Sequence, residues 1–159
     1  WAAFYVSTNE TKRKREPGNR IMPGKLIYIT QNDMRKLQHL LVEARALLLE
    51  DEKYLSDLEF ELARAKVVKS NGVPADVITM NSQVRLEDAT TQEEMVCWLV
   101  YPDYANDEHG KISILSPTGT ALIGCKVGDL IEPDAAAGVP TLRVEEILYQ
   151  PEADGKYHL

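Results

Sequence analysis

Apolar residues fall at Met34, Leu37, Leu41, Ala44 and Leu48, in alternating steps of three and four. That spacing lays a narrow stripe along one helix face, as in a coiled-coil seam, and Leu40 and Leu47 widen it. Just upstream, Leu26 to Ile29 is a short apolar stretch, and Thr30-Gln31-Asn32-Asp33 has capping-box spacing. There the Thr hydroxyl can accept a first-turn N–H while the Asp reaches back. The stripe breaks at Glu50-Asp51-Glu52-Lys53 and resumes at Leu55, Leu58, Leu62 and Ala65. Two stripes joined by a short polar turn bury each other by folding back. The pattern therefore predicts an antiparallel helical hairpin over 31–68, within a unit spanning 26–70. Its first helix, about 20 residues long, would measure about 30 Å. The narrowness of both stripes predicts a hairpin that projects from the rest of the chain. Ser56-Asp57-Leu58-Glu59 also has capping-box spacing.

Asn71-Gly72-Val73-Pro74 stops the helix and re-aims the chain. Beyond it the period changes to two. Val84 and Leu86, then Val96, Trp98 and Val100, alternate with polar or smaller residues, as half-buried strands do. Further strands are expected at Lys111–Leu115, Asp129–Glu132 and Thr141–Tyr149. Pro117 to Gly124 reads as one or two helical turns, with Pro early and Gly at the end. The fold class is therefore α+β: a helical hairpin followed, over 75–159, by an antiparallel sheet with one short helix.

The net charge of −7 is unevenly spread. Through Lys25 there are six basic residues, including Lys12-Arg13-Lys14-Arg15, against two acidic ones. Residues 1–25 read as a solvated basic arm, and with no initiating Met they are expected to lie apart from the fold. The remainder is strongly acidic, which disfavours gripping DNA or RNA by its phosphates. An acidic body suits a basic protein surface or channel. No apolar run approaches the roughly 18–20 residues that cross a bilayer, and no apolar segment follows the basic cluster as in a secretory signal. A cytoplasmic protein without membrane contact is expected. Cys97 and Cys125 have neither CxxC spacing nor an adjacent His, so buried reduced thiols are expected and no metal or cofactor. His39, His109 and His158 are scattered and read as surface residues.

Four runs carry a family resemblance. They are Asp76-Val77-Ile78-Thr79-Met80-Asn81-Ser82-Gln83-Val84 and Leu99-Val100-Tyr101-Pro102. The third is Ser116-Pro117 through Ala121-Leu122-Ile123-Gly124 with Val127-Gly128-Asp129, and the fourth Leu148-Tyr149-Gln150-Pro151-Glu152-Ala153 followed by Gly155. The third resembles the GreA/GreB transcription elongation factor superfamily; the others resemble its Rnk branch. The resemblance implies an FKBP-like sheet domain and a hairpin that enters the secondary channel of RNA polymerase. It also implies that Leu115, Ser116, Pro117 and Thr118 form a loop docking on the polymerase, Pro117 stiffening its edge. Gre factors carry a polar residue before the Ser-Pro, where this chain has Leu115.

Gre factors stimulate transcript cleavage with tip carboxylates that help hold a second Mg²⁺, a hard cation that takes oxygen ligands. Here Glu50, Asp51 and Glu52 sit near the turn, but the Gre tip motif is absent and the hairpin is shorter. Acids at such a turn also serve capping and the helix dipole. The expectation is a monomeric, non-catalytic regulator that binds RNA polymerase and competes with Gre factors. A cleavage factor using residues 50–52 is the alternative. A peptidyl-prolyl isomerase is a third reading, disfavoured because fold is a poor warrant for activity. Such a site also needs an aromatic-lined pocket, and the sheet part offers few large rings: Trp98, Tyr101, Tyr104, Tyr149 and Tyr157, with Trp98 expected in the core.

Overall fold

The computed structural model describes residues 26–49, 51–134, 136 and 138–158. The basic arm and Glu50 lie outside the described residues. Strand β1 (Tyr28–Thr30) runs directly into helix α1 (Gln31–Leu47). Thr30 caps it as expected, its hydroxyl accepting the Asp33 amide at 3.0 Å. Asp33 does not reach back. It is buried, and its Oδ1 accepts the Tyr101 hydroxyl at 3.2 Å. The helix ends on Leu48 in the left-handed region (φ 51°), and Leu49 donates its amide to Ala44 at 3.1 Å.

Helix α2 (Glu52–Arg64) begins at Asp51, whose carboxylate accepts the Lys53 amide at 2.9 Å. The cap expected at Ser56 is therefore one turn too late: Ser56 is already helical and Asp57 is buried. The helix also ends earlier than expected. Lys66–Val68 form strand β2, which pairs parallel with β1, Tyr28 opposite Lys66 and Thr30 opposite Val68. Parallel neighbours need a long crossover, and the helical hairpin is that crossover.

Strands β3 (Gln83–Asp88), β4 (Glu94–Val100), β5 (Lys111–Ser113), β6 (Leu130–Ile131) and β7 (Leu142–Tyr149) form one sheet in the order β5-β4-β3-β7-β6. Helix α3 (Pro117–Leu122) follows β5. Three of the four pairings are antiparallel, but β5 joins β4 in parallel, so the all-antiparallel expectation fails at one edge. Two 3-10 turns, Pro102–Tyr104 and Asp107–His109, carry the chain back to the same end of the sheet before β5 begins. The phase of β4 is also reversed over most of its length. Cys97 and Leu99 face the core, Val96 is 46% exposed and Trp98 is half-buried, whereas Val100 at the strand end is buried as expected.

A single hydrophobic cluster joins Leu37, Leu41, Leu55 and Leu58 of the hairpin to Leu86 and Leu99 of the sheet, with Leu122 of α3 included. The hairpin is therefore not a free projecting arm. Helix α2 packs on α3, and Lys53 Nζ reaches the buried Asp134, beyond β6, at 2.8 Å. The apolar stripe looked narrow because polar positions complete the buried face. Asp57 and Glu61 are both buried, and Glu61 is paired with Arg64 at 2.6 Å.

Candidate functional site

The Ser-Pro turn is built from local bonding. Ser116 caps α3: its Oγ accepts the Gly119 amide at 3.1 Å and donates to the Ser113 carbonyl at 2.7 Å. Pro117 occupies the first helical turn, where its missing N–H costs nothing. Thr120 donates its hydroxyl to the Ile114 carbonyl at 2.8 Å, closing the turn from below. Gly119 is required by space, since a Cβ there would overlap the Ser113 carbonyl oxygen. Gly124 has φ 73° and lies against Ile27. Ser116, Pro117 and Thr118 form a half-exposed rim, whereas Leu115 is 1% exposed and anchors the turn in the core. The departure from the family at Leu115 is thus a core residue. Val127-Gly128-Asp129 is likewise stitched to the sheet, the Gly128 amide donating to Val144 at 2.7 Å.

At the hairpin tip, Asp51 is spent as the α2 cap. Glu52 accepts Arg45 Nε at 3.0 Å, and the same guanidinium forks onto Glu59 at 2.9 and 3.2 Å. This pairing raises the Arg45 pKa and holds the Glu59 carboxyl below its ordinary value. Leu47, Leu48 and Leu49 are exposed beside these acids. Among the described residues, no three His, Cys, Asp or Glu side chains converge as metal ligands would.

Two features escaped the sequence reading. The first is a buried polar network under the junction of α1, the sheet and the C-terminal turns. Thr79 donates its hydroxyl to Glu152 at 2.7 Å and shares a 3.1 Å bond with Ser82. Gln150 donates to the Pro74 and Val77 carbonyls at 2.9 and 2.6 Å. Burial, then the Glu152 charge, pushes Asp33 up to about 6, while burial and Asp33 raise the Tyr101 hydroxyl. The Gln150-Pro151-Glu152 run is therefore structural cement. The second is an open cavity of about 680 Å³ lined by Trp98, Tyr101, Tyr104 and Tyr149, four of the five rings judged too few for a pocket. Those rings lie far apart in sequence, and β4's reversed phase turns Trp98 toward the cavity. Cys97 and Cys125 are both buried, the Cys125 thiol donating to the Ala121 carbonyl at 3.0 Å, and burial pushes the Cys97 thiol up to about 12. His39, His109 and His158 are all exposed, as expected.

No helix among the described residues is long and apolar enough to cross a membrane. Residues 25–68 match the family model "Rnk N-terminus", and residues 73–149 match "Transcription elongation factor, GreA/GreB, C-term". The chain is 43% identical over 103 residues to the Regulator of nucleoside diphosphate kinase of Escherichia coli (strain K12), covering 64% of this chain and 76% of that one. It is 39% identical over 110 residues to Transcription elongation factor GreA of Chelativorans sp. (strain BNC1), covering 67% and 68% respectively. The solved structure of a prokaryotic transcription elongation factor GreA/GreB from Nitrosomonas europaea superposes with a TM-score of 0.64 at 39% identity, covering 79% of this chain and 99% of that chain. With the Rnk-type segment folded as the helical hairpin and the Gre-type segment as the sheet and Ser-Pro turn, the chain belongs to the Rnk family of the GreA/GreB transcription elongation factor superfamily.

Proposed function

We propose that this chain is a monomeric, non-catalytic transcription regulator that docks on RNA polymerase near the secondary channel and competes there with Gre factors. Family membership supports the transcription-factor-like role. The FKBP-like sheet unit of residues 75–159 presents the rim of Ser116, Pro117 and Thr118 to the polymerase, with Leu115 as its buried anchor. The hairpin unit of residues 26–70 faces the channel.

The observation that carries the non-catalytic reading is the state of the tip acids. Asp51 is committed to the α2 cap and Glu52 to Arg45, while Lys53 ties the tip back to Asp134. Carboxylates so engaged, on a hairpin packed against its own sheet, are poorly placed to hold a Mg²⁺ in another protein's active site. The test is polymerase pull-down combined with cleavage of backtracked complexes, first with this protein alone and then with GreA. Binding and reduced GreA-stimulated cleavage, without cleavage of its own, is expected. Cleavage that disappears on Asp51→Asn or Glu52→Gln would make it a short cleavage factor, and absence of binding would overturn the polymerase reading.

A further inference from the structure

The strand register aligns four side chains in a row across the sheet. Lys111 on β5 is opposite Trp98 on β4, Trp98 is opposite Gln83 on β3, and Gln83 is opposite Tyr149 on β7. Laterally paired residues share a face, and three members of this row, Lys111, Trp98 and Tyr149, line the 680 Å³ cavity. The Trp98 and Tyr149 rings are tilted by 50° with centroids 5.6 Å apart, and the Trp98 side chain is half-buried rather than packed into the core. Opposite them, α1 contributes Lys36, whose ammonium lies 5.8 Å from the Tyr101 ring centroid. The C-terminal segment contributes Lys156, 5.1 Å from the Tyr149 centroid and 3.2 Å from its hydroxyl. Asp154 reaches Lys156 at 3.6 Å from outside the lining.

Thus three lysines and four aromatic rings meet in a cavity that no carboxylate among the described residues lines, in a chain with 25 acidic residues against 18 basic ones. Exposed rings offer stacking faces to a planar base, and ammonium groups at the rim offer charge-assisted bonds to phosphate oxygens. The volume lies in the range of small-ligand sites, which span about 300–1,000 Å³. The acidic surface elsewhere disfavours a polyanionic strand, whose phosphates would have to run on beyond the lysines. We propose that this cavity binds a single nucleoside phosphate, the base on Trp98 and Tyr149 and the phosphates on Lys36, Lys111 and Lys156. The assignment stands apart from polymerase docking and does not require it.

Calorimetric titration of the full chain tests it, with guanosine and adenosine diphosphates as probes. Adenosine, tripolyphosphate and a short single-stranded oligonucleotide serve as the base-only, phosphate-only and strand controls. At least one diphosphate is expected to bind more tightly than either half alone, and more weakly as salt rises. Trp98→Leu should weaken that binding about tenfold through lost stacking. Lys36→Ala and Lys111→Ala, at exposed positions, should each weaken it about fivefold or more while leaving the melting temperature unchanged. Absence of diphosphate binding at millimolar concentration would overturn the proposal. So would tripolyphosphate binding as tightly as the diphosphates, insensitivity to all three substitutions, or an oligonucleotide binding more tightly than a mononucleotide.

Discussion

The Ser-Pro turn and the hairpin tip are built from the same local chemistry, a capped helix start with polar side chains folded onto the backbone. Their surroundings separate them. At the turn, Ser116 and Thr120 bond to carbonyls beneath buried Leu115 and Leu122, and Gly119 leaves no room for a methyl group. At the tip, Asp51, Glu52 and Arg45 make their bonds next to water. A buried hydrogen bond has no solvent to replace a lost partner, whereas an exposed ion pair exchanges one good partner for another. Motifs of equal prominence in the sequence thus carry very different shares of the stability. The turn is the rigid part of the proposed docking surface, and the tip is the part whose charges can be changed cheaply.

Substitutions can break or sharpen that contrast. The largest effect is expected from Gly119→Ala, which drives a methyl group into the Ser113 carbonyl and should cost about 3 kcal/mol in chemical denaturation. A loss too small to resolve would mean that the turn is not rigid. Asp33, in the buried polar network at the start of α1, comes next. Its folded pKa of about 6 exceeds the ordinary value of 3.8, so the native state holds the proton more tightly than the unfolded chain. Asp33 therefore favours folding below about pH 4, and that advantage is lost as pH rises through 6. Asp33→Asn, which keeps an acceptor for Tyr101, should flatten stability between those values and add about 2 kcal/mol at pH 7 relative to the parent. Parallel denaturation curves for both proteins over that range would refute the assignment.

Ser116→Ala removes the α3 cap and should cost about 1 kcal/mol by the same measurement. If polymerase docking depends on the turn's shape, it should weaken pull-down more than its stability loss explains. The smallest effect is expected from Glu59→Gln at the tip. Its melting temperature should stay close to the parent's, with any difference vanishing at high salt. A large, salt-resistant loss would show that the Arg45 fork matters as much as the turn and would erase the contrast.

The apolar period between Met34 and Leu62 and the Thr30 cap by themselves determined the two helices, though not the end of α2 at Arg64. The change to period two placed all five strands of the larger sheet within two residues, β5 stopping at Ser113 rather than Leu115. Each of these signals is local, carried by backbone bonds and neighbouring side chains a few positions apart. Tertiary structure alone decided the rest. The parallel pairing of β1 with β2 joins segments separated by the whole hairpin, and β5 pairs parallel because of where the 101–110 excursion returns. The facing of Trp98 depended on register, since a shift of one residue exchanges the two faces of a strand and alternation alone does not say which is inside. The hairpin's packing was hidden because Asp57 and Glu61 are buried, Glu61 against Arg64, and polar residues read as solvent-facing until their neighbours are known. The cavity was hidden for the same reason. Lys36, Trp98, Lys111, Tyr149 and Lys156 span most of the chain, and only folding brings them to one side of the sheet.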